Sequence, residues 1–238
     1  MRRLSWLRLL SIVAVCVSAA EYAEAFEPRD EAEKAIQKLA EQNNYTWTTI
    51  RKNAGEDAGS VHGKIRKDGL AHVMLDMAGR SVEGVLKGRK GALKVEGGWR
   101  STNEFKGSGG SPNSNPMTFL ARHLSTFAKA PAVQAAGLLK QTQELQSDGK
   151  GVYSGKLTEA GVKHNVPRFG VKVTDPEGSV KFWVKDGMLV KYTYVVRANV
   201  EFLRQQRQTN YDRTTTVEIK DAGTTKLDVP EDALKSIE

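Results

Sequence analysis

The first clear pattern of apolar and polar positions lies in residues 27–42 and has the spacing of an α-helix. Residues three and four positions apart lie on one face of a helix. The apolar positions that recur in this way are Ala32, Ala35, Ile36, Leu39 and Ala40. The segment therefore predicts one short amphipathic helix, with Asp30 as its N-cap and Asn43-Asn44 at its end.

The next pattern, in residues 61–75, alternates between apolar and polar residues on both sides of Lys67-Asp68-Gly69. A three-residue loop with glycine in the left-handed conformation is a common connection between antiparallel strands. A two-residue Asp-Gly turn would bring Lys64 to the side of Val73, so the alternation favours the three-residue loop. The predicted pairs on the apolar side are Val61 with Leu75, Gly63 with Val73 and Ile65 with Ala71.

The tripeptide Lys185-Asp186-Gly187 repeats this pattern, and the same loop is predicted there. It would place Val184 opposite Met188, Phe182 opposite Val190 and Val180 opposite Tyr192. Residues 82–87 and 92–95 predict a further strand pair across the turn 88–91. Each hairpin has one apolar and one polar face, which is typical of an antiparallel sheet covered on one side.

A helical segment interrupts the strands in the middle of the chain. Residues 106–115 contain almost only Gly, Ser, Pro, Asn and Lys, which predicts a surface loop. Residues 116–127 and 131–145 have helical spacing. Together they predict a helical insert over about 112–146.

Strand patterns resume at residues 152–157 and continue to Ile219. A turn at 221–223 is expected to lead to a final strand and a short helix over 230–237. Strands on both sides of a helical insert, with an apolar face throughout, predict one antiparallel sheet that both helical regions cover. We expect residues 26–238 to form a single domain that is mostly β with some α.

The N-terminus has the pattern of an export signal. Three arginines precede an uncharged apolar run over residues 9–20, which is short of the roughly 20 apolar residues that span a bilayer. Ala23-Glu24-Ala25 then matches a cleavage site. Residues 1–25 are therefore predicted to be a signal peptide, cleaved near Ala25, and the mature protein to be periplasmic or secreted. An uncleaved anchor is the alternative.

Cys16 is the only cysteine and lies inside this signal. Lipid attachment at Cys16 would make the protein a lipoprotein, but Val15 is bulkier than the residue that lipoprotein processing prefers. Removal of Cys16 with the signal leaves no thiol for a disulfide or a nucleophile.

The chain is basic, with a formal net charge of +8 at pH 7. The densest basic tract near the C-terminus consists of Arg197, Arg204, Arg207 and Arg213. Such a tract could meet anionic lipid at a membrane surface or a polymer of the cell envelope. The solvated face of a strand is the more ordinary interpretation, because charge on such a face also prevents edge pairing. Nucleic acid is not expected as a partner, because an exported protein does not meet it.

Residues with catalytic or metal-binding spacing are not found. The four histidines, His62, His72, His123 and His164, have no Cys, Asp or Glu at ligand spacing. Nucleophile elbow, zinc-protease, P-loop and dinucleotide motifs do not occur. We therefore expect no metal, no cofactor and no enzymatic activity, with a hydrolase of unfamiliar site as the remaining alternative.

The order of elements resembles that of the periplasmic lipoprotein carriers and related lipid-binding lipoproteins. A helix after a signal peptide, a strand meander, a helical insert and long hairpins lead to Thr214-Thr215-Thr216-Val217-Glu218-Ile219 and Val229-Pro230-Glu231-Asp232-Ala233-Leu234. The resemblance implies a curved, incomplete β-barrel, lidded by helices, whose apolar hollow holds acyl chains. Residues 63–69 lack the Arg-Pro-Gly and Phe-Arg-Trp segments of those carriers. No match to their lid-fastening arginine is evident, so no residue role is transferred.

The resemblance and the one-sided hairpins together predict an apolar hollow. Its candidate lining residues are Val61, Ile65, Val73, Leu75, Val82, Leu86, Phe182, Val184, Met188, Val190 and Tyr192. The alternative is that these side chains form a filled core. The expected function is binding or carrying of a lipid or an acylated protein, and the alternative is an envelope binding or scaffold module that uses a basic polar face.

Overall fold

The computed structural model describes residues 27–77, 79–105, 115–166, 171–202 and 207–238. The predicted signal peptide with Cys16 lies outside these residues, as do Arg204 and all of the predicted surface loop except Asn115. Within the described ranges, no helix combines the length and the apolar character that crossing a membrane requires.

Five α-helices and one short 3-10 helix are present in the described residues. They are α1 Pro28–Ala40, the 3-10 helix Thr102–Phe105, α2 Pro116–Phe127, α3 Pro131–Lys140, α4 Glu159–Asn165 and α5 Glu231–Lys235. The strands are β1 Asn44–Asn53, β2 Glu56–Arg66, β3 Leu70–Met77, β4 Arg80–Lys87, β5 Lys90–Val95, β6 Gly98–Ser101, β7 Thr142–Gly149, β8 Val152–Leu157, β9 Val171–Lys185, β10 Met188–Phe202 and β11 Arg207–Lys220.

The described strands form one antiparallel sheet of eleven. Its order is β6-β5-β4-β3-β2-β1-β11-β10-β9-β8-β7, so two meanders meet where β1 pairs with β11. The sheet is not closed, because β6 and β7 lie at opposite edges. The predicted fold class is thus confirmed, a curved, incomplete β-barrel covered by helices.

The sheet has two differently covered faces. We call the inner face the side that carries Trp47, Val73 and Phe182, and the outer face the opposite side. On the inner face, α1 packs against α3 and β10, α2 lies over β4 and β5, and α4 packs against β9. These contacts build the main core, which consists of inner-face residues and the apolar stripes of the helices.

A second, smaller core lies on the outer face. Ala233 and Ile237 from the region of α5 pack against Leu70, Val85 and Ala92. The predicted final strand before this helix is wrong. The chain there has no regular structure, and its Leu227 and Val229 pack against this second core instead.

The register of the first hairpin is confirmed. Residues 67–69 form the loop, and Gly69 has the left-handed φ of +81°. Val61 pairs with Leu75, Gly63 with Val73 and Ile65 with Ala71. The predicted pair over 82–87 and 92–95 also forms, as β4 with β5, but its turn contains only Gly88 and Arg89, because Lys87 pairs with Lys90.

The predicted register of the second hairpin is wrong. Lys185 pairs with Met188, so the turn contains only Asp186 and Gly187, both with positive φ. Such a two-residue turn matches the twist of the strands. Phe182 therefore pairs with Tyr192 and Val184 with Leu189. A bulge at Val190 shifts the alternation by one residue, which brings both Leu189 and Tyr192 to the inner face.

The helices also differ from the prediction in their ends. Glu27, and not Asp30, is the N-cap of α1, because Pro28 begins the helix with its fixed φ. The helix α2 has the predicted bounds, and its N-cap Asn115 accepts a hydrogen bond from the backbone N–H of Thr118.

The predicted helix 131–145 is too long, because it ends at Lys140 and residues 142–149 form β7. The Thr142 hydroxyl donates to the Leu138 carbonyl, 2.7 Å away, and so satisfies one of the last helical acceptors. The short helix α4 was not predicted. Its N-cap is Thr158, whose hydroxyl accepts from the backbone N–H of Gly161.

Candidate ligand-binding site

The centre of the inner face is filled by Trp47. This side chain is 2% exposed and lies directly over Gly63, its cross-strand neighbour. A β-carbon on Gly63 would come within 2.3 Å of the Trp47 ring. Glycine therefore lets the indole lie flat on the sheet.

Most of the predicted lining residues lie on the inner face, and six of them are buried. These are Val61, Ile65, Val73, Leu75, Phe182 and Tyr192. The remaining five, Val82, Leu86, Val184, Met188 and Val190, are half-buried. The buried group packs within the core against the protein's own helices, so the sheet centre is filled in this conformation. The predicted lining did not include Leu189, which is fully buried. The bulge at Val190 cannot be recognised from the alternation of apolar and polar residues.

An open cavity of about 620 Å³ lies where the margin of the sheet meets the first turn of α2. Ligand pockets in proteins commonly have roughly 300–1,000 Å³. The cavity brings Val82 together with Val95 and Met117. Its other lining residues are Met74, Arg80, Ser81, Glu83, Lys94 and Glu96.

Charged side chains at the margin of this cavity are paired with one another. The Glu83 carboxylate accepts hydrogen bonds from Lys94 at 2.9 Å and from His72 at 2.7 Å. Burial acts to raise the pKa of Glu83, but the bonds from Lys94 and His72 outweigh it and lower the pKa below its ordinary value. The cavity thus combines an apolar wall with a neutralised ion pair.

Side-chain hydrogen bonds fasten the helices α2 and α3 to the inner face. Arg51 on β1 donates from Nη2 to the carbonyl of Phe127, 2.9 Å away at the end of α2. Gln134 on α3 accepts from the Tyr192 hydroxyl at 2.7 Å and donates to that of Tyr194 at 3.1 Å. Arg51 was not among the predicted site residues. The alternation of Tyr45, Trp47 and Thr49 on β1 already places Arg51 on the inner face.

Helix α1 is held more firmly. Arg29 donates to the carbonyls of Leu139, Thr142 and Gln143 at 2.7–2.9 Å, which ties α1 to the end of α3 and to the start of β7. The hydroxyl of Tyr153 donates to Glu31. Burial and this neighbouring carboxylate raise the pKa of Tyr153 to about 12.

A cluster of unsatisfied polar atoms surrounds Arg51. The atoms Arg51 Nη1, Tyr211 Oη and Thr215 Oγ1 are buried and have no hydrogen-bond partner among the described residues. Burial lowers the pKa of Arg51, and the neighbouring Arg213 lowers it further. Arg213 donates to Asn53 Oδ1 at 2.9 Å, and its guanidinium lies 5.1 Å from the Tyr211 ring centroid.

The described arginines of the predicted basic tract do not lie on one face of the sheet. Arg213 pairs across the strands with Val196, which is buried on the inner side, whereas Arg197 pairs with Asp212 on the outer side. Arg197 donates to the Asp212 carboxylate at 3.0 Å. Arg207 is exposed near the hairpin end. The alternation of the two strands separates these charges, although they are close in sequence.

A second groove, of about 960 Å³, lies on the side of the sheet around β7 to β10. It is lined by polar residues and by the indole of Trp183, over which the ammonium of Lys191 lies at 5.5 Å. Lys181 in this groove forms a salt bridge with Asp148 at 2.9 Å.

The histidines are engaged in separate polar contacts. His62 lies 3.2 Å from the Thr48 hydroxyl and His72 bonds to Glu83. Within the part of the chain that the structure describes, no group of three or more His, Cys, Asp or Glu side chains is arranged to hold a metal ion.

Comparison with family models finds no match, and no curated protein matches. Solved structures do match. LprF from Mycobacterium bovis has 12% identity and a TM-score of 0.48, with 87% of this chain and 97% of that chain covered. The lipoprotein LppX from Mycobacterium tuberculosis has 14% identity and a TM-score of 0.49, with coverage of 85% and 98%.

A LolA-superfamily protein from Nitrosomonas europaea is also similar, with 14% identity, a TM-score of 0.33 and coverage of 87% and 96%. At these identities and TM-scores, no residue role is carried over to this chain.

Proposed function

We propose that the mature protein is an exported, non-enzymatic carrier that binds the acyl chain of a lipid or of an acylated protein. The acyl chain would lie between the inner face of the sheet and the helices α2 and α3. The cavity beside Val82 and Met117 would be the place where the chain enters. Cleavage of residues 1–25 near Ala25, and a periplasmic or secreted location of the mature protein, belong to the same proposal.

The observation that carries the proposal is an apolar sheet face covered by helices with few polar attachments. Arg51 bonds the end of α2 to the sheet, while Gln134 and the Pro131 carbonyl of α3 bond to sheet tyrosines, and the sheet is open at both edges. Each methylene group moved out of water contributes about 0.8 kcal/mol. A long acyl chain can therefore compensate for separating part of this helix and sheet contact.

Equilibrium binding of a fluorescent fatty acid tests the proposal. Val82→Glu places a carboxylate in the cavity, and we expect it to weaken binding at least ~10-fold, since an unpaired charge opposes burial beside an acyl chain. Val133→Glu is the matched control, because Val133 is 60% exposed on α3 and its variant should bind as the wild type does.

Equal affinity of the Val82→Glu and Val133→Glu variants would reject this cavity as the entrance. Absence of binding by the wild type to fatty acid, phospholipid and acylated peptide alike would reject the carrier function. Circular dichroism spectra of each variant verify that a loss of binding is not a loss of fold.

A second candidate, recognition of a cell-envelope polymer, is supported by the polar groove around Trp183. An indole in a polar groove is suited to stacking against a sugar ring. If this candidate is right, Trp183→Ala abolishes retention on isolated cell-wall polysaccharide while fatty-acid binding stays unchanged. Equal retention of variant and wild type would reject it.

A further inference from the structure

The inner face contains a cationic cluster that the helix attachment alone does not explain. Arg51 uses Nη2 for the Phe127 carbonyl, while its Nη1 atom is buried without a partner in the described residues. Its charged neighbour is a second arginine, Arg213. The closest acid in sequence, Asp212, bonds to Arg197 on the outer side instead. Two like charges thus meet on an apolar face without a described carboxylate between them.

Such an arrangement is costly unless something completes it. A buried cation without a counter-ion is strongly unfavourable, and each buried polar group without a hydrogen bond adds to that cost. The Thr215 hydroxyl is a further buried group without a partner among the described residues, and the Tyr211 hydroxyl, which lies beside Arg213, has no acceptor for its own proton there. Thr215 is the direct cross-strand partner of Arg51, and only 1% of it is exposed. These groups can donate hydrogen bonds but have no acceptor. The partner that would complete the cluster is therefore an oxyanion.

We propose that Arg51, Arg213, Tyr211 and Thr215 form the binding site for the anionic head group of an amphiphile, a carboxylate or a phosphate. The proposal rests on the carrier function above and adds the ligand class to it. A guanidinium presents its donors in a fork that matches both oxyanions. The ligand's apolar chain would continue along the inner face.

The surroundings of the cluster fit an amphiphile better than a free ion. Val196 and Ala198, the cross-strand partners of Arg213 and Tyr211, are buried apolar residues. The Phe127 ring lies 5.3 Å from the Arg51 guanidinium. Arg213 forms the accessible side of the cluster, because its bond to Asn53 is exposed whereas that of Arg51 to Phe127 is partly buried. A head group would therefore meet Arg213 first.

Paired ligands that differ only in the head group test the proposal. Palmitate is compared with its uncharged methyl ester, and a phosphatidic acid with the matching diacylglycerol, by displacement of a fluorescent acyl probe at pH 8. We expect the wild type to prefer each anionic ligand at least ~10-fold, the effect of one charge-assisted hydrogen bond. Arg213→Gln should abolish this preference and keep the affinity for the uncharged ligands.

Arg197→Gln is the matched control, since it removes the same charge from the outer side of the neighbouring strand. It should retain the full preference. A preference for only one of the two anionic ligands would identify the head group as carboxylate or phosphate. Equal binding of charged and uncharged ligands by the wild type would overturn the head-group site while leaving the carrier function intact.

Inorganic phosphate alone distinguishes a free ion from a head group. We expect phosphate at about 10 mM to leave palmitate bound, because the acyl chain supplies most of the affinity. Displacement of palmitate by phosphate, without displacement of the methyl ester, would assign the cluster to a free anion and reject the amphiphile. Failure of every acyl ligand to bind would reject the carrier function itself, and the head-group site with it.

Discussion

The contact of Trp47 with Gly63 is the residue-scale feature that gives the inner face its shape. Trp47 is buried and lies flat on the backbone of the neighbouring strand, where only glycine leaves room. A large aromatic side chain buries much apolar area, and this one does so without lifting the helices off the sheet. The close packing of helices and sheet therefore depends on one residue that has no side chain.

Gly63→Ala should lower the free energy of unfolding by about 1–3 kcal/mol, the usual cost of overpacking a core. The matched control is Gly137→Ala in α3, where no atom outside the adjoining residues and the helix backbone lies within 4 Å of the added methyl group. That change should raise stability by about 0.5–1 kcal/mol, because alanine favours the helix. Urea unfolding measures both values. A neutral Gly63→Ala variant would contradict this account of Trp47.

Buried tyrosines make stability depend on alkaline pH. Burial raises the pKa of Tyr45 to about 12, although a backbone hydrogen bond with Ala132 acts in the opposite direction. Burial also raises the pKa of Tyr192. The unfolded chain ionises near pH 10, so these groups stabilise the fold fully below pH 10, and their contribution is lost as pH rises toward 12 and above.

The free energy of unfolding should therefore decline between about pH 10 and pH 12, with Tyr45 responsible for on the order of 2 kcal/mol. Tyr45→Phe should reduce this decline, because phenylalanine does not ionise. Urea midpoints measured from pH 8 to pH 11.5 test this expectation. An unchanged slope in the variant would show that other groups cause the alkaline loss of stability.

At the scale of elements, the helices differ in how they are attached. Arg29 ties α1 to the end of α3 and the start of β7 by three hydrogen bonds, whereas Arg51 ties the end of α2 to the sheet by one. Elements with few attachments open locally at lower cost. Among the described helices of the inner face, α2 is thus the one that we expect to move first.

Arg51→Leu should speed amide hydrogen exchange in α2 about 10-fold, since a charge-assisted hydrogen bond contributes roughly 1.5–3 kcal/mol. Exchange in α5, which packs on the outer face, should stay unchanged. Arg29→Gln is the reciprocal variant and should speed exchange at the end of α3 more than in α2. A uniform increase in all helices after Arg51→Leu would indicate general destabilisation and contradict a local attachment.

The two Lys-Asp-Gly turns show which parts of an element the sequence determines. At Gly69 the apolar alternation selects a single register, and that register is confirmed. At Gly187 a bulge absorbs one residue, so a different turn keeps the same apolar face. Alternation cannot reveal a bulge, because both readings bury an equal number of apolar side chains.

At the scale of the whole molecule, the fold class was predictable and the state of the hollow was not. Strand order follows from one-sided hairpins and a helical insert, since consecutive antiparallel strands usually pair. Whether helices fill the inner face depends on long-range packing, such as that of Trp47 on Gly63. The cationic cluster also escaped prediction, because Arg51 stands in a polar stretch of β1 and meets Arg213 only through the pairing of β1 with β11.

An open sheet with a helix that can separate from it at low cost provides what the proposed binding of an acyl chain requires. An acyl chain needs an apolar surface, and its entry requires that surface to become accessible without unfolding the domain. The main core supplies the surface, and the cavity beside Met117 lies at the first turn of α2. Binding stabilises the folded state by mass action, so a bound lipid should also raise the unfolding temperature.

The most direct test is native mass spectrometry of the mature protein, purified after export, followed by extraction of any bound lipid into organic solvent. The account predicts a mass above that of the polypeptide and an acyl-bearing species in the extract. It also predicts that this species is absent from Val82→Glu but present in Val133→Glu. A bare polypeptide mass in the wild type, with an empty extract, would contradict the proposal that this fold carries acyl chains.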